Sequence, residues 1–279
     1  MLKTNKLYQF GINNIKFYYK SCSKIEIRKV YNPTSFIGKF AVNFGFSFFF
    51  KFLGKKEVEK TIFSIIDFDK LKILLIGNNK SKPKYIALER HGNNYTYKKF
   101  SINNIEAADD IKNEIYFHEE IKNTIFVPER IKNQVVLNSY SNNSTTCIVT
   151  KELAYKQTNN NSNINYVFLN YFFKEFSLKN IEKVDNDFTY CHSHGDLTPW
   201  NVKHDDDNFI LLDWEDYGVR PLYYDIIQYQ FSFYCIYKYL SFNESKKWVI
   251  LNLKFLDTSI NEHQYLQTMT FFQSHTYLK

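Results

Sequence analysis

A ten-residue stretch in the second half of the chain, HSHGDLTPWN at residues 192–201, concentrates side chains that can do chemistry. It contains His192 and His194, the carboxylate of Asp196 and the amide of Asn201. Its first half has the alternating His and Asp pattern of a metallohydrolase ligand set. Its second half offers a base and an oxygen ligand for Mg²⁺, as a phosphotransferase requires.

The metallohydrolase interpretation is short of ligands. A two-metal HxHxD site needs a further histidine directly after the aspartate, and that position is Leu197. His204 is displaced from the cluster, and a zinc site needs its full set of N, S or O ligands. The sequence therefore disfavours a zinc metallohydrolase, which stays as an alternative.

Phosphoryl transfer needs a base beside the acceptor hydroxyl, oxygen ligands for a metal ion and charge compensation for the phosphates. Asp196 and Asn201 are five positions apart across a loop that contains Pro199. The apolar strand predicted in NFILLDWED, residues 208–216, then delivers Asp213 at its end. This spacing favours a phosphotransferase.

HGDLTPWN followed by ILLDWED resembles the catalytic loop and the metal-binding strand of the aminoglycoside phosphotransferase and choline kinase group, small-molecule relatives of the protein kinases. The resemblance implies that Asp196 is the catalytic base and that Asn201 and Asp213 bind Mg²⁺. It also implies that His194 braces the loop and that Asp225 steadies it.

Periodicity and turn residues place these motifs on secondary structure. Three antiparallel strands are predicted at 71–77, 84–90 and 95–100, then a helix within 102–121 and two more strands at 133–141 and 145–154. After a polar connection at 157–165, the pattern of residues 164–184 and of the region from Tyr223 onward predicts helices.

This order predicts an α+β, two-lobed protein-kinase-like fold. An N-terminal antiparallel sheet with one helix precedes a mainly helical C-terminal lobe. Residues 1–70 are expected to form an N-terminal extension or cap, 71–156 the nucleotide-binding lobe, and 157–279 the lobe for catalysis and acceptor binding.

The nucleotide-binding residues are expected in the first lobe. GNNKSKP at 77–83, which begins with Gly77, resembles the turn over the nucleotide phosphates. Lys98 or Lys99 would orient the nucleotide, with Glu114 as the ion-pair partner. Alternation along a strand points the two lysines to opposite faces, so one serves; the small Thr96 beside an adenine ring favours Lys98.

The composition of the chain limits the classes of molecule that it is expected to bind. The chain of 279 residues has a net charge of +7 and 19% aromatic residues, which favours an anionic partner, and no motif indicates nucleic acid. Its four cysteines form no CxxC pair, and its polar start does not predict a signal peptide, so a cytoplasmic location is expected. FAVNFGFSFFF at 40–50 is either a core segment or a surface for peripheral membrane contact at the inner face.

These observations predict an ATP-dependent phosphotransferase that uses Mg²⁺ and phosphorylates a hydroxyl of a small molecule or sugar. A cell-envelope polysaccharide or lipid-linked precursor is the favoured acceptor class, because the chain is basic and rich in aromatic residues. A pseudokinase-like scaffold stays open as an alternative. The sequence leaves the choice of ATP or GTP and the oligomeric state open.

Overall fold

The computed structural model describes residues 6–12, 15–19, 24–30, 55–57, 60–77, 81–152, 156–157, 162–185, 188–205, 207–257, 260 and 262–275. The chain divides into two compact units. The first comprises residues 1–112 and 135–153, and the second comprises 113–134 and 154–279. Each unit has its own hydrophobic core.

An eight-stranded antiparallel sheet forms the first unit, in the order β3-β1-β2-β4-β5-β6-β9-β8. Its strands are β1 (Lys6–Ile12), β2 (Ile15–Tyr19), β3 (Lys55–Glu57), β4 (Leu71–Ile76), β5 (Tyr85–His91), β6 (Asn94–Ile102), β8 (Val136–Ser141) and β9 (Thr145–Lys151). β7 (Ile131–Asn133) belongs to the second unit.

The described strands of residues 1–70 continue this sheet. β2 pairs with β4, β1 pairs with β2, and β3 pairs with β1, all antiparallel. The Phe-rich segment at 40–50 lies outside the described residues. Within the described part of the chain, no helix has the length and apolarity needed to cross a bilayer.

The two faces of the sheet are both buried, by different parts of the chain. Phe100 of β6 packs with Ile62 and Ile65, from the segment that contains a 3₁₀ helix at Lys60–Ser64. Tyr97 packs on the opposite face with Ile27 of α1 (Lys24–Val30). Because side chains alternate along a strand, Lys98 shares the face of Phe100, and Lys99 shares the face of Tyr97.

A helix follows β6 directly, as predicted, and spans Ile105–Glu119 (α2). The side chain of Asn104 accepts a hydrogen bond from the backbone N–H of Ala107 at 2.8 Å, which caps the helix. In the first turns, Asp110 forms an ion pair with Lys84 at 2.8 Å. From Asn113 onward, α2 belongs to the second unit.

The second unit contains four further described helices and two small sheets. The helices are α3 (Ser162–Tyr171), α4 (Tyr224–Ser232), α5 (Phe242–Leu256) and α6 (Glu262–His275). One sheet has the order β10-β13-β14-β7, formed by Lys156–Gln157, Val202–His204, Phe209–Leu211 and Ile131–Asn133; the other has the order β11-β12-β15, formed by Ile181–Asp185, Phe188–Ser193 and Gly218–Pro221.

The predicted helix over 164–184 is wrong at its end. α3 continues as a π-helical segment, Phe172–Ser177, and a 3₁₀ turn, Leu178–Asn180, before β11 begins. The buried side chain of Asn180 accepts from the N–H of Phe126 at 2.7 Å and donates to the carbonyl of Phe126 at 2.7 Å. These side-chain hydrogen bonds take the place of the backbone hydrogen bonds that a helix continuing beyond residue 180 would form.

Aromatic side chains fill the core of the second unit. Phe168, Phe172, Trp214 and Tyr229 are each at most 1% exposed. The aromatic excess of the sequence therefore supplies packing here. The predicted α+β class is confirmed, with an antiparallel sheet in the first part of the chain and a mainly helical second part.

Candidate active site

The motif at 192–201 forms the loop between β12 and β13. Gly195 has φ = 85°, in the left-handed region. A Cβ atom added there would lie 1.9 Å from the carbonyl oxygen of Asp216. Glycine is therefore required both by the backbone conformation and by the close approach of the segment after β14.

Asp225, in the first turn of α4, anchors this loop. One carboxylate oxygen accepts from the N–H of His194 at 2.8 Å, and the other accepts from the N–H of Gly195 at 3.0 Å. Asp225 is 3% exposed, so these charge-assisted bonds are shielded from water. The loop is thus fixed to α4, in agreement with the steadying role that the resemblance implies.

His194 connects the loop to the end of β14. Its ring is fully buried, and Nε2 donates to the carbonyl of Leu212 at 2.9 Å. A carbonyl only accepts, so this bond places a proton on Nε2. The ring also packs against Trp214, with centroids 4.4 Å apart. These contacts fit a bracing function for His194.

Asp196 is held by two side-chain amides. Gln228 of α4 donates to Oδ1 at 3.0 Å, and Asn201 donates to Oδ2 at 2.9 Å. The Asn201 amide also donates to the backbone carbonyl of Asp196 at 2.9 Å. The carboxylate therefore has a fixed orientation, as a general base requires.

Burial raises the pKa of Asp196 well above its usual value. The negative charges of Asp213, Asp216 and Glu215 raise this pKa further, while the hydrogen bond from Asn201 lowers it. A carboxylate with a raised pKa is a stronger base than an exposed one.

Asp213 lies directly after Leu212, where the chain leaves β14. Its backbone is left-handed, with φ = 67° and ψ = 62°, a conformation that is uncommon for residues other than glycine. The N–H of Leu212 donates to the carbonyl of Asn201 at 2.9 Å, which brings the strand end beside the loop. Such local strain is concentrated at functional sites.

Three carboxylates converge beside this strand end. Glu114, Asp213 and Glu215 each offer an oxygen, and these atoms lie within 4.8 Å of one another. Within the described parts of the chain, this is the one His, Cys, Asp and Glu group compact enough for a metal ion. Carboxylate oxygens are the donors that Mg²⁺ prefers, so the donor set fits that ion.

The second half of α2 is docked onto the segment that carries these acids. Phe117 stacks on Trp214 with centroids 3.8 Å apart and an interplanar angle of 7°. Asn113 donates to the carbonyl oxygens of Glu215 at 2.6 Å and of Tyr217 at 3.2 Å. Glu114 follows Asn113 on the helix, and these contacts bring it beside Asp213.

Lys98, which the sequence favoured as the nucleotide lysine, forms an ion pair within the sheet. Its Nζ lies 3.0 Å from Oε1 of Glu89 and donates to the carbonyl of Ile65 at 3.0 Å. Glu89 is 1% exposed, so this is a buried ion pair on the sheet face covered by residues 60–66. The partner expected for Lys98, Glu114, belongs to the acid group with Asp213.

Lys99 remains the candidate for nucleotide binding, on the sheet face opposite Lys98. Gly77 directly follows β4, and its N–H donates to the carbonyl of Lys84 at 2.9 Å. A Cβ atom at Gly77 would make an ordinary contact of 3.5 Å, so this position does not require glycine. The rest of the predicted phosphate turn includes residues 78–80, outside the described residues.

Three residues near these groups were not predicted from the sequence: Glu89, Glu215 and Gln228. Glu215 follows Asp213 by two positions in DWED, which was a usable signal for a second ligand. Gln228 lies three positions after Asp225, so helical spacing puts both on one face of α4. On β5, Glu89 follows the residue that pairs with Tyr97 of β6. Only the register between these two strands brings Glu89 near Lys98, so sequence spacing gives no signal for the pair.

The two histidines of the motif contact groups outside the acid cluster. His192 contacts Glu182 at 3.1 Å and Tyr217, while His194 binds the carbonyl of Leu212. Neither is part of the compact group of potential ligands found among the described residues.

Residues 176–239 match the model of a family described as the phosphotransferase enzyme family, APH. The fold is similar to amicoumacin kinase hAmiN in complex with AMP-PNP, Ca²⁺ and Ami, with a TM-score of 0.48 and 8% identity, over 77% of this chain and 84% of that one. It is also similar to aminoglycoside-3'-phosphotransferase of type VIII, with a TM-score of 0.47 and 12% identity, over 68% and 87% of the two chains. No curated protein is similar enough in sequence to match.

The family match contains the loop with Asp196 and Asn201, the strand end with Asp213 and the anchor Asp225. It thus confirms, for this segment, the resemblance to the aminoglycoside phosphotransferases that the sequence motifs predicted.

Proposed function

We propose that this chain is an ATP-dependent phosphotransferase that transfers a γ-phosphoryl group to a hydroxyl of a small molecule or sugar. One arrangement carries the proposal: Asp196 is oriented by Gln228 and Asn201 on a loop that Asp225 anchors. The match of residues 176–239 to the phosphotransferase enzyme family supports the same reaction class.

In the proposed reaction, Asp196 accepts the proton of the acceptor hydroxyl. The hydroxyl oxygen forms a bond to the γ-phosphorus as the bond between that phosphorus and the β,γ-bridging oxygen breaks, and ADP leaves with the electron pair. Hydrogen bonds from Gln228 and Asn201 keep the carboxylate in one orientation throughout.

Mg²⁺ would be held by Asp213 with oxygen atoms of Asn201, Glu114 and Glu215, and would neutralise charge on the phosphates. His194 keeps the loop and the strand end together through Leu212. Lys99 is proposed to orient the nucleotide.

The acceptor we propose is a sugar, an amino alcohol, or an anionic glycan or lipid-linked precursor of the cell envelope. The net charge of +7 favours an anionic or neutral acceptor over a polycation. The Phe-rich segment at 40–50 motivates the related proposal of a cytoplasmic enzyme that contacts the inner face of the membrane.

The first experiment measures the melting temperature with ATP or GTP, each with and without Mg²⁺. A ligand that binds the native state raises this temperature. We expect a Mg²⁺-dependent rise that Asp213→Asn loses. Asp207→Asn, an exposed control in the turn between β13 and β14 with the same charge change, should retain it. An acceptor screen for ADP release follows.

The outcomes separate the alternatives. ADP release that depends on an acceptor and is lost in Asp196→Asn supports the proposed reaction. Nucleotide binding without ADP release for any acceptor would favour the pseudokinase-like scaffold, and stoichiometric zinc would favour the metallohydrolase. A response only to free aminoglycosides would overturn the envelope acceptor.

A further inference from the structure

A cleft of about 240 Å³ lies between α3, α4 with its π-helical extension, and α5, all within the second unit. Its lining includes the amides Asn165, Gln230 and Asn252 and the rings of Tyr166 and Tyr234. None of these residues has a role in the proposed phosphoryl transfer.

Two buried amides beside this cleft lack hydrogen-bond partners. Gln230 is 3% exposed, and neither its Nε2 nor its Oε1 has a partner among the described residues. Asn165 is 4% exposed; its Oδ1 accepts from the hydroxyl of Tyr229 at 2.8 Å, whereas its Nδ2 has no partner in the described structure.

Such groups are costly. An unsatisfied buried amide destabilises the folded protein, and the great majority of buried polar groups are paired. A leucine at Gln230 would avoid the cost with a similar side-chain size. The amide is therefore best explained by a ligand that takes up its donor and its acceptor.

The lining also indicates the chemistry of that ligand. It contains no Asp, Glu, Lys, Arg or His, so nothing there would compensate a buried charge. Tyr166, at 48% exposure, and Tyr234 offer ring faces, and the amides offer both donors and acceptors. Ligand pockets combine apolar walls with a few polar groups in this way.

We infer that this cleft binds a neutral, hydroxyl-rich small molecule of about one sugar ring. Its volume is below the range of about 300–1,000 Å³ that is usual for drug-sized ligands, which agrees with a molecule of that size. Hydroxyl groups donate and accept, and therefore match the unpaired atoms of Gln230 and Asn165.

Binding can be measured without any catalytic assay. Trp248 stacks on Tyr234, with ring centroids 6.0 Å apart, so tryptophan fluorescence should report on the cleft. The probes are D-glucose, N-acetyl-D-glucosamine and myo-inositol, titrated at millimolar concentration, with D-glucosamine and D-glucuronate as charged counterparts. We expect saturable binding of at least one neutral probe and none of the charged ones.

Gln230→Leu is the decisive variant. It should weaken binding about tenfold or more and raise the melting temperature of the ligand-free protein, because it removes an unpaired amide. Gln267→Leu, the same change on α6 outside the cleft, should leave binding unaltered. Tyr166→Ala removes an exposed ring from the mouth and should weaken binding even if Gln230→Leu does not fold.

The inference is overturned if no neutral probe binds, if the charged probes bind as well as the neutral ones, or if Gln230→Leu and Tyr166→Ala bind like the wild type. Because the readout is binding, a failure of phosphoryl transfer leaves this result unaffected. Failure of the cleft to bind likewise leaves the reaction assigned to Asp196 standing.

Discussion

Gln228 donates from Nε2 to Oδ1 of Asp196 at 3.0 Å. The same helix provides Asp225, three positions earlier, which accepts hydrogen bonds from two backbone N–H groups of the loop at 192–201. One face of α4 therefore fixes both the backbone of the loop and the orientation of its carboxylate. The two residues therefore have different proposed roles: Asp196 is the base, and Gln228 positions it.

Replacement of Gln228 by leucine should lower kcat about tenfold, because the freed Asp196 carboxylate samples unproductive orientations. The KM for nucleotide should stay unchanged. Asp196→Asn should lower kcat by a factor of about 10²–10⁴, the usual contribution of a general base. Steady-state ADP release at saturating nucleotide measures both.

The combination of the two substitutions tests the assignment. If Gln228 acts through Asp196, adding Gln228→Leu to Asp196→Asn costs little more, because residues that act as a unit are not additive. A further tenfold loss in the double variant would contradict the positioning role. Circular dichroism of each variant controls for folding.

The two neighbouring lysines should respond differently to substitution. Lys98→Met leaves Glu89 buried without its cation, so the free energy of unfolding should fall by about 3–5 kcal/mol. Lys99→Met should lose most of the melting-temperature rise with Mg²⁺ and ATP. Denaturant unfolding and thermal shift measure the two effects.

A compensating variant sharpens this test. Lys98→Met combined with Glu89→Leu should recover much of the lost stability, since replacing both partners removes the uncompensated charge. If Lys98→Met is stable and loses nucleotide binding instead, the nucleotide lysine is Lys98 and not Lys99.

The acid group should govern divalent-metal affinity. Asp213→Asn should abolish Mg²⁺-dependent nucleotide binding, and Glu215→Gln should raise the Mg²⁺ concentration needed for half-maximal binding about tenfold. Asp216→Asn, an exposed neighbour outside the compact group, is the matched control. Equal effects of Glu215→Gln and Asp216→Asn would exclude Glu215 as a ligand.

Much of the site could be predicted because its residues are adjacent in sequence. Asp196, Asn201 and Asp213 lie within eighteen consecutive residues, and turn and strand signals place them on one loop and one strand end. The strands of the first unit followed from apolar runs bounded by turn residues, and the structure confirms β4, β5, β6, β8 and β9 within a few residues.

The ion-pair partner of Lys98 could not be predicted from the sequence, because it depends on which residues cover each face of the sheet. Alternation shows that Lys98 and Lys99 point to opposite faces, but only the packing of residues 60–66 shows which face is occupied. Similarly, the helix pattern of residues 164–184 does not reveal that Asn180 binds Phe126 and ends the helix. Both are tertiary effects that override local propensity.

The last prediction concerns Lys203, a 7% exposed residue of β13 whose pKa burial lowers to about 8. In the unfolded chain a lysine has a pKa of about 10.4, so below pH 8 folding must bury a charged amine. Between about pH 8 and 10.4 the native state releases this proton while the unfolded state keeps it. The free energy of unfolding contributed by this group therefore rises with pH.

Lys203→Met should consequently stabilise the protein at pH 7, by up to about 3 kcal/mol, and the gain should fade as the pH approaches about 10.4. Urea unfolding of both proteins between about pH 6.5 and 10 gives the difference directly. Lys174→Met, at an exposed position, should show no such pH-dependent gain. A gain for Lys203→Met that is constant over this range would show that the lysine is not charged at a cost in the native state.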